Sequence, residues 1–451
     1  MLELNFNEIL EAVSGESIKV PKTYSGKEVS TDTRKIKEGS IFIALKGENF
    51  DGNKYALDAI NKGAALVIVS EITFDIESLG ENIGIIKVGN GEKALAELAH
   101  FYRNKLDVKI VGVTGSTGKT STKDIMSAVL SSKYKVFKTK GNFNNHIGLP
   151  LMILELDSSY DIAILEMGMS DLKEINFLAN IARPEVAVIT NVGLSHIENL
   201  KTRDNILKAK MEIVDFFNKE NTLIINADDD MLKTVKDTEY KLIRCGIGEN
   251  LSIRAKNMEF DKLSSSFDII DESKCDRFNL SMPGKHNVGN FMLAYCIGKY
   301  FDVSVKEMQE GMDNIEVTSM RLDLKDAKGF KVLDDCYNSS PDSVKSAIDV
   351  LISLKGNKKI GVLGTMRELG LESGNSHRDI GTYAKNKKLD KIFVFGEFSE
   401  FIKSGFGEGA SIYDSKEALI TELKEYISED DIVLVKASRG LKFEEIVKSL
   451  V

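Results

Sequence analysis

Short apolar runs separated by helix-length segments dominate the chain from about residue 106. The first series of runs is VKIVGVT at 108–114, DIAILE at 161–166, EVAVIT at 185–190 and TLIIN at 222–226. Such runs between helical segments are typical of parallel strands with helices on both faces of the sheet. A second series is KVLDD at 331–335, KIGVLG at 359–364, KIFVFG at 391–396 and DIVLVK at 431–436. The pattern predicts an α/β protein with two separate, mostly parallel sheets.

Other segments depart from this alternation. Apolar residues recur at the spacing of one helix face over 92–103, which predicts a helix that leads into the first sheet. The stretch 250–282 has short alternating runs, so we expect antiparallel hairpins at a sheet edge, followed by a helix around 287–301. Ser340 followed by Pro341 predicts the capped start of another helix.

The length of 451 residues predicts about three domains at roughly 150 residues each. The segment before the first series mixes short strand-like runs with one helical stretch. We therefore expect a small α/β N-terminal domain at 1–87, a central P-loop ATPase domain at 88–314 and a C-terminal Rossmann-like, doubly wound domain at 315–451.

Composition narrows the class of protein. The net charge of -9 disfavours nucleic acid as a partner, and 42% hydrophobic with 29% charged residues is ordinary for a chain that folds throughout. The four cysteines lack the spacing of a zinc site or disulfide framework. The apolar runs have strand length and the first residues are acidic, so we expect a soluble cytoplasmic protein without stable membrane insertion.

A glycine loop stands between the run at 108–114 and a helical segment. This order of strand, glycine loop and helix is what a phosphate cradle needs, with Lys119 neutralising phosphate and Thr120 binding Mg²⁺. The form TGxxGKT is one residue shorter than the common pattern, and the alternative is a chance glycine turn that opens a helix. The candidate phosphate-binding residues are Gly115, Ser116, Thr117, Gly118, Lys119, Thr120 and Ser121.

Polar side chains follow two of the strands. Glu166 ends DIAILE and His196 comes just after EVAVIT, which places both at the carboxyl-end crevice where a metal ligand is useful. Taken singly, a Glu or His after a strand is more often a surface or capping residue. For Lys210, in a predicted helix, the plain alternative is a solvated lysine. Asn287, near a helix start, suits an adenine edge or an N-cap.

The motifs taken together resemble the Mur ligase family. They are TGSTGKTS, GNFNNHIGLP at 141–150, EMG at 166–168, TNVGLSHIENL, KAKMEI, GKHN, MRLD, LDDCYNSSPDS at 333–343, MRELG at 366–370 and VKASRG. The asparagine-rich loop and the LDDxYN segment resemble most the branch that joins D-alanyl-D-alanine to UDP-N-acetylmuramoyl-tripeptide. A DNPR-type segment, typical of the sister branch that adds diaminopimelate, is absent from the sequence.

The resemblance implies an ATP- and Mg²⁺-dependent amide ligase of peptidoglycan precursor synthesis that works through an acyl phosphate. It implies a monomer whose N-terminal domain holds the UDP end of the substrate and whose C-terminal domain closes over the site. The alternatives are a sister Mur-type or folylpolyglutamate-synthase-like ligase and, from another class, a non-catalytic ATP-binding regulatory protein.

The resemblance also implies roles for single residues. Lys119, Lys210 and His196 would be catalytic, and Thr120, Glu166, His196 and a carbamylated Lys210 would hold metal. The remaining nucleotide contacts would be Asn287, Arg321, Asp335 and Asn338. The substrate contacts would be Asp32, Thr33, Arg34, Lys46, Gly47, Asp51, Gly52, Asn144 and Asn145.

Two positions depart from the family pattern. Ala437 stands where the family's KGSR motif has glycine, so the backbone freedom of that turn is reduced. Arg367 occupies a position in MRELG that often holds a small residue.

Overall fold

The computed structural model describes residues 4–236, 239–261, 264–316 and 318–451. The N-terminal part is a small α/β unit. Its elements are α1 (Phe6–Ala12), β1 (Glu16–Lys19), β2 (Glu28–Ser30), β3 (Ser40–Ile43), β4 (Lys46–Gly47), β5 (Phe50–Asp51), α2 (Ala56–Asn61), β6 (Ala64–Val69) and β7 (Gly84–Lys87). Five strands form a sheet of order β1-β7-β6-β3-β2, while β4 and β5 form a separate hairpin. Strand β6 is buried at every position because its sequence, AALVIV, is apolar throughout.

Helix α3 (Gly91–Arg103) leads into the central unit, as its amphipathic pattern predicted. The strands of this unit are β8 (Lys109–Thr114), β9 (Val136–Lys138), β10 (Ile162–Glu166), β11 (Val186–Ile189), β12 (Thr222–Asn226), β13 (Lys241–Gly246), β14 (Ile253–Phe260), β15 (Ser265–Asp271) and β16 (Lys274–Leu280). Its helices are α4 (Lys119–Ser131), α5 (Gly148–Leu154), α6 (Glu174–Ala182), α7 (Ile197–Leu200), α8 (Arg203–Met211), α9 (Lys285–Tyr300) and α10 (Val305–Asp313).

The central strands form one nine-stranded sheet of order β16-β15-β14-β13-β12-β11-β8-β10-β9. Neighbours from β9 to β14 are parallel, and β14, β15 and β16 are antiparallel. The predicted hairpins at 250–282 are thus confirmed as the edge of this sheet. Strand β8 lies between β10 and β11, so the loops after these three strands meet at one edge.

The C-terminal unit has a six-stranded sheet. Its elements are β17 (Asp323–Asp326), β18 (Lys331–Asp334), α11 (Pro341–Ser353), β19 (Lys359–Gly364), α12 (Ser373–Asn386), β20 (Lys391–Phe395), α13 (Ser399–Phe406), β21 (Ala410–Tyr413), α14 (Lys416–Tyr426), β22 (Ile432–Lys436) and α15 (Glu444–Leu450). The strand order is β17-β18-β22-β19-β20-β21, and only the edge pair β17–β18 is antiparallel. The α/β fold class is confirmed. Among the described residues, no helix is both long and apolar enough to cross a membrane.

Candidate active site

The glycine loop joins β8 to α4 as the sequence predicted. Gly118 is the N-cap of α4 with φ +77°, and it leaves the first turn without a side-chain cap. Gly115 lies so close to the next loop that an added Cβ would stand 1.8 Å from Thr190 Oγ1. The first-turn amides of a helix lack partners within the helix and carry partial positive charge, so this turn can receive a phosphate.

Asn191 supports the loop from the end of β11. Its carbonyl oxygen accepts from Ser116 N at 3.1 Å, and its Oδ1 accepts from Thr117 N at 2.8 Å. Ser116 Oγ in turn accepts from Gly193 N at 2.9 Å. The loop is therefore held in place by the neighbouring strand's end, a support that the sequence reasoning did not identify.

The Lys119 side chain folds back onto the glycine loop. Its Nζ donates to Gly115 O at 2.7 Å. Burial lowers the pKa of Lys119, the carboxylates of Glu166 and Glu368 oppose that shift, and Arg321 adds to it. Among the described residues, no carboxylate lies within hydrogen-bond distance of this ammonium, which leaves its charge available to an anion.

Glu166 and Thr120 form a buried cluster of oxygen atoms beside the loop. Thr120 Oγ1 donates to Glu166 Oε2 at 3.1 Å, and Asn144 Nδ2 donates to Glu166 Oε1 at 3.0 Å. Glu166 and Thr120 are 3% and 6% exposed. Arg321 Nη2 lies 3.4 Å from Thr120 Oγ1, so a side chain that follows the central unit reaches this cluster.

His196 is paired with a residue of the C-terminal unit. Its Nδ1 lies 2.6 Å from Glu368 Oε2, and this contact is the main reason why the pKa of Glu368 is lowered. Within the described parts of the chain, no three His, Cys, Asp or Glu side chains cluster as a metal site. The structure thus groups Glu166 with Thr120 and His196 with Glu368. Glu368 was not among the predicted site residues, although its motif MRELG was noted.

Lys210 lies at the end of α8 and is only 1% exposed. The alternative of a solvated lysine is therefore wrong. Burial is the main cause that lowers its pKa well below the usual value, nearby Lys119 adds to the shift, and Asp229 opposes it. The described residues give Lys210 no hydrogen bond or ion pair, and an amine held in this way is more readily neutral or modified.

A cavity of about 390 Å³ opens next to the loop. Its wall combines Thr117, Gly118 and Ser121 with residues that follow in sequence by more than a hundred positions, namely Asn287, Arg321 and Asp335. Asn287 is inside α9, whose N-cap is Gly284, so the alternative that Asn287 is a plain N-cap is wrong. Its Nδ2 donates to Pro283 O at 2.8 Å.

Lys436, at the end of β22, joins two of the predicted nucleotide contacts. Its Nζ donates to Asp335 Oδ2 at 2.5 Å and to the Asn338 carbonyl oxygen at 2.9 Å. Lys436 is 1% exposed and lines the cavity. Asn338 is thus placed beside the cavity through its backbone. The sequence signal for Lys436 was its position as the last residue of a buried strand, in VKASRG.

The predicted substrate contacts of the N-terminal unit lie on two short elements. Asp32 caps the turn Thr33–Lys35 and pairs with Arg34 at 2.8 Å, while Lys46 pairs with Glu71 at 2.7 Å. These two cations are therefore neutralised by neighbouring carboxylates. Gly47 and Asp51 belong to the β4–β5 hairpin, and Gly52 approaches Leu45 so closely that a Cβ would lie 2.6 Å from its carbonyl oxygen.

Asn145 differs in role from its neighbour Asn144. Its Oδ1 accepts from Gly148 N at 2.8 Å and so shapes the loop before α5. Asn145 also lines a second cavity of about 550 Å³ together with Lys93, Lys173 and Phe177. The two asparagines thus connect the Glu166 cluster with a separate crevice between α3 and α6.

The chain belongs to the Mur ligase family. Family models match along most of the chain: the Mur ligase family catalytic domain at 27–103, the Mur ligase middle domain at 113–298 and the Mur ligase glutamate ligase domain at 320–439. The UDP-N-acetylmuramoyl-tripeptide–D-alanyl-D-alanine ligase of Bacillus subtilis (strain 168) is 39% identical over 430 residues, 94% of this chain and 93% of the relative.

Solved structures agree with this assignment. A MurF crystal structure from Acinetobacter baumannii superposes with a TM-score of 0.90 at 27% identity and covers 98% of both chains. A MurF ligase from Thermotoga maritima, solved in complex with ADP, superposes with a TM-score of 0.83 at 29% identity over 95% of this chain and 98% of that one.

Proposed function

We propose that this chain is the ATP-dependent ligase that joins D-alanyl-D-alanine to UDP-N-acetylmuramoyl-tripeptide in peptidoglycan precursor synthesis. The observation that carries the proposal is the 39% identity to a ligase of that name over 94% of the chain. The local geometry is consistent with it, because the glycine loop, Glu166 and the cavity beside Asp335 stand at one edge of the central sheet.

The chemistry begins with activation of a carboxylate. An oxygen of the tripeptide's terminal carboxylate attacks the γ-phosphorus of ATP, ADP leaves, and an acyl phosphate results. The amine of D-alanyl-D-alanine then attacks the acyl carbon, and the tetrahedral intermediate releases inorganic phosphate and the amine's proton to form the amide. A free carboxylate is a poor acyl donor, so phosphorylation supplies the leaving group and the protein supplies alignment.

Different residues around the glycine loop bind the phosphates and the nucleoside of ATP. Lys119 and the amides at the start of α4 bind the phosphates, and Arg321 neutralises charge beside Thr120. Arg321 Nε is buried and, among the described residues, has no hydrogen-bond partner, which suits an anion at that place. Asn287, Asp335 and Asn338 hold the nucleoside, with Lys436 fixing the last two.

Mg²⁺ fits the oxygen cluster at Glu166. Hard divalent cations take carboxylate and hydroxyl oxygens and keep several waters, and Thr120 Oγ1 and Glu166 Oε2 offer such atoms 3.1 Å apart. When bound there, the ion would neutralise the phosphate charge that develops during transfer. His196, whose Nδ1 is in contact with Glu368, would complete the set through its other ring nitrogen.

Lys210 is the candidate for carbamylation. Addition of CO₂ to its neutral amine, with release of one amine proton to solvent, would give a carboxylate-like ligand, and the lowered pKa of Lys210 favours the neutral amine that this requires. Incubation with ¹³C-labelled bicarbonate should give a carbamate signal in NMR spectra of the wild type and none in Lys210→Arg. The same spectrum from both proteins would exclude the modification at this residue.

The N-terminal unit supplies the site for the UDP end of the substrate. In this proposal Arg34 and Lys46 leave their ion pairs with Asp32 and Glu71 and bind the diphosphate. The pocket around the diphosphate is shaped by Thr33, Gly47, Asp51 and Gly52. Asn144 and Asn145 face the peptide portion. The division into 1–87, 88–314 and 315–451 gives each substrate its own domain, in a cytoplasmic monomer.

One assay tests the proposed reaction. Phosphate release from ATP should require both UDP-N-acetylmuramoyl-tripeptide and D-alanyl-D-alanine, and mass spectrometry should detect the joined product. Equal release with either substrate omitted, or with free D-glutamate in place of the dipeptide, would contradict the proposed acceptor. Nucleotide binding without release under any of these conditions would instead indicate a regulatory ATP-binding protein.

A further inference from the structure

The loop at residues 366–370, after strand β19, contacts the central unit at one defined place. We call it the latch loop. Glu368 Oε2 lies 2.6 Å from His196 Nδ1, and the Glu368 carbonyl oxygen accepts from Glu198 N at 3.2 Å. Gly370 comes so close that an added Cβ would stand 3.1 Å from Glu198 Cα. The latch loop thus joins the C-terminal unit to the predicted metal ligand His196.

Backbone conformation at this contact is strained on both sides. Glu368 and His196 each have φ +65°, in the left-handed region that non-glycine residues rarely adopt. Such a conformation is sterically unfavourable for a residue with a Cβ. It persists only where surrounding bonds hold it, and strain of this kind concentrates at functional sites. The hydrogen bonds that hold the latch loop in this conformation therefore bear on its function.

Two consecutive amides of the latch loop are held by side chains from different elements. Met366 N donates to His377 Nε2 at 2.8 Å, and Arg367 N donates to Ser438 Oγ at 2.9 Å. His377 is on α12 and Ser438 follows β22. These bonds fix the backbone just before Glu368, whose half-exposed carboxylate contacts His196.

The hydrogen bonds of His377 define which ring nitrogen carries its proton. Nδ1 lies 2.6 Å from the Ser373 carbonyl oxygen, which can only accept, so Nδ1 is protonated. Nε2 is then free to accept from Met366 N. The ring is fully buried and stacks on Phe398 with centroids 4.8 Å apart and planes at 19°. His377 therefore has one orientation and one tautomer, both set by its neighbours.

We propose that His377 is a positioning residue for ligation, which acts by holding the latch loop so that Glu368 reaches His196. This inference rests on the proposed function and assigns to that reaction a residue that touches no substrate. In this arrangement the C-terminal unit sets the orientation of the His196 imidazole when the two units meet. Loss of the Met366 amide's acceptor would release the loop while leaving the nucleotide cavity intact.

Two substitutions of His377 distinguish the role of its Nε2 as a hydrogen-bond acceptor from the role of its ring in stacking on Phe398. His377→Phe keeps the stack on Phe398 and removes the acceptor, whereas His377→Gln can present Oε1 near the place of Nε2. In assays of phosphate release with all three substrates, we expect kcat of His377→Phe to fall at least tenfold with an unchanged KM for ATP. We expect His377→Gln to recover most of that loss. Equal activity of His377→Phe and wild type would overturn the proposal.

A double-mutant cycle tests whether His377 acts through Glu368. Glu368→Gln should lower kcat by itself, and His377→Phe should add little in that background, since the carboxylate it positions is already gone. A purely packing role would make the two losses multiply. Such multiplication would contradict the proposal even if both variants fold, and equal loss in His377→Gln and His377→Phe would do the same.

Hydrogen exchange of the latch loop requires no substrate. Peptides covering 365–370 should exchange faster in His377→Phe than in wild type or His377→Gln. Unchanged exchange in His377→Phe would show that the histidine does not hold the loop. A wild type that forms no product but has a protected loop would contradict the proposed function and leave this anchoring role supported.

Discussion

Three lysines, Lys119, Lys210 and Lys436, have buried ammonium groups near the glycine loop or in the wall of the cavity beside it, and they differ in what lies next to them. Lys436 has the Asp335 carboxylate at 2.5 Å, and Lys119 has only the carbonyl oxygen of its own loop. Lys210 has neither kind of partner among the described residues. Burial lowers the pKa of all three groups. The two without a carboxylate partner are the two to which the family resemblance assigns chemistry. An unpaired buried ammonium at Lys119 suits a bound anion, whereas the lowered pKa of Lys210 favours a neutral amine.

Lys119→Ala tests the phosphate cradle. We expect turnover to fall by a thousandfold or more while the melting temperature changes little, because the substitution removes charge that only bound phosphate requires. Steady-state assays and thermal unfolding measure the two effects. Lys109→Ala, at the exposed beginning of the same strand β8, is the matched control and should keep full activity. Activity retained in Lys119→Ala would contradict the assignment of Lys119 to phosphate binding.

His286 makes the stability of the ligand-free protein depend on pH. Burial is the main cause that lowers its pKa to about 4, with Lys436 adding to the shift and Asp335 and Asp349 opposing it. The unfolded chain binds a proton as the pH falls through about 6.5, whereas the folded chain binds it only near 4. The stability that neutral His286 contributes is therefore fully present above pH 6.5 and is lost as the pH falls from 6.5 to 4.

Replacing His286 should flatten that decline. His286→Gln should lose about 1–2 kcal/mol less stability than wild type between pH 7 and pH 4.5, a figure discounted for the side chain's partial exposure. Urea denaturation at a series of pH values measures the difference. His146→Gln, at an exposed position, should follow the wild-type slope. The idea fails if the slope of His286→Gln matches wild type.

At the scale of elements, hydrophobic periodicity predicted most of the strands and helices. Each apolar run of the two series forms a strand, and the ends of the strand match those of the run within one or two residues. The match is close because buried parallel strands are apolar on both faces. Strand β17, with the sequence DLKD, was missed because an edge strand with charged residues has no such run. The short hairpin at 46–51 was missed for the same reason.

The candidate site was predictable only where its residues are local in sequence. The phosphate loop and its helix form one continuous segment, so TGSTGKTS sufficed. The pairing of His196 with Glu368 and that of Asp335 with Lys436 depend on which loops the topology brings together. No periodicity in one segment contains that information.

Asp124, on helix α4, fixes the segment that connects the central and C-terminal units. Its Oδ2 accepts from Thr318 N at 2.9 Å and from Thr318 Oγ1 at 2.7 Å, and its Oδ1 lies 3.1 Å from Lys138 Nζ. Asp124 is 1% exposed. This carboxylate anchors the segment that continues to Arg321, so the helix of the phosphate loop also positions Arg321.

Asp124→Asn should break this anchor. We expect the protein to lose about 2–4 kcal/mol of stability, since an amide nitrogen would replace one buried carboxylate oxygen and leave cationic and hydroxyl partners unsatisfied. The shift of the denaturation midpoint measures this loss. The same change at Asp326, which is paired with Lys331 on the surface, should cost less than about 1 kcal/mol. Equal effects would show that Asp124 is not an anchor.

At the scale of the whole molecule, the contacts between the central and C-terminal units are made by loops and helix starts at the edges of two sheets. Asp342, in the first turn of α11, approaches Gly193 so closely that an added Cβ would stand 2.2 Å from its Oδ2. Gly370 meets Glu198 in the same way. At these two points the absence of a side chain allows the units to approach closely.

Gly370→Ala tests whether this approach is needed for activity. Gly370 has φ +51°, and alanine there would lose about 1–2 kcal/mol to backbone strain and would also push against Glu198. Gly329→Ala is the matched control, because Gly329 has φ +86° and its nearest neighbour to an added Cβ is 3.9 Å away. Both variants should lose stability through backbone strain, Gly370→Ala somewhat more because of the contact with Glu198, but only Gly370→Ala should lose kcat, by about tenfold, because its contact between the units can no longer close. Small-angle scattering with ATP and UDP-N-acetylmuramoyl-tripeptide should then give a larger radius of gyration for Gly370→Ala than for Gly329→Ala. Equal kcat in the two variants would mean that the approach of Gly370 to Glu198 is not required for ligation.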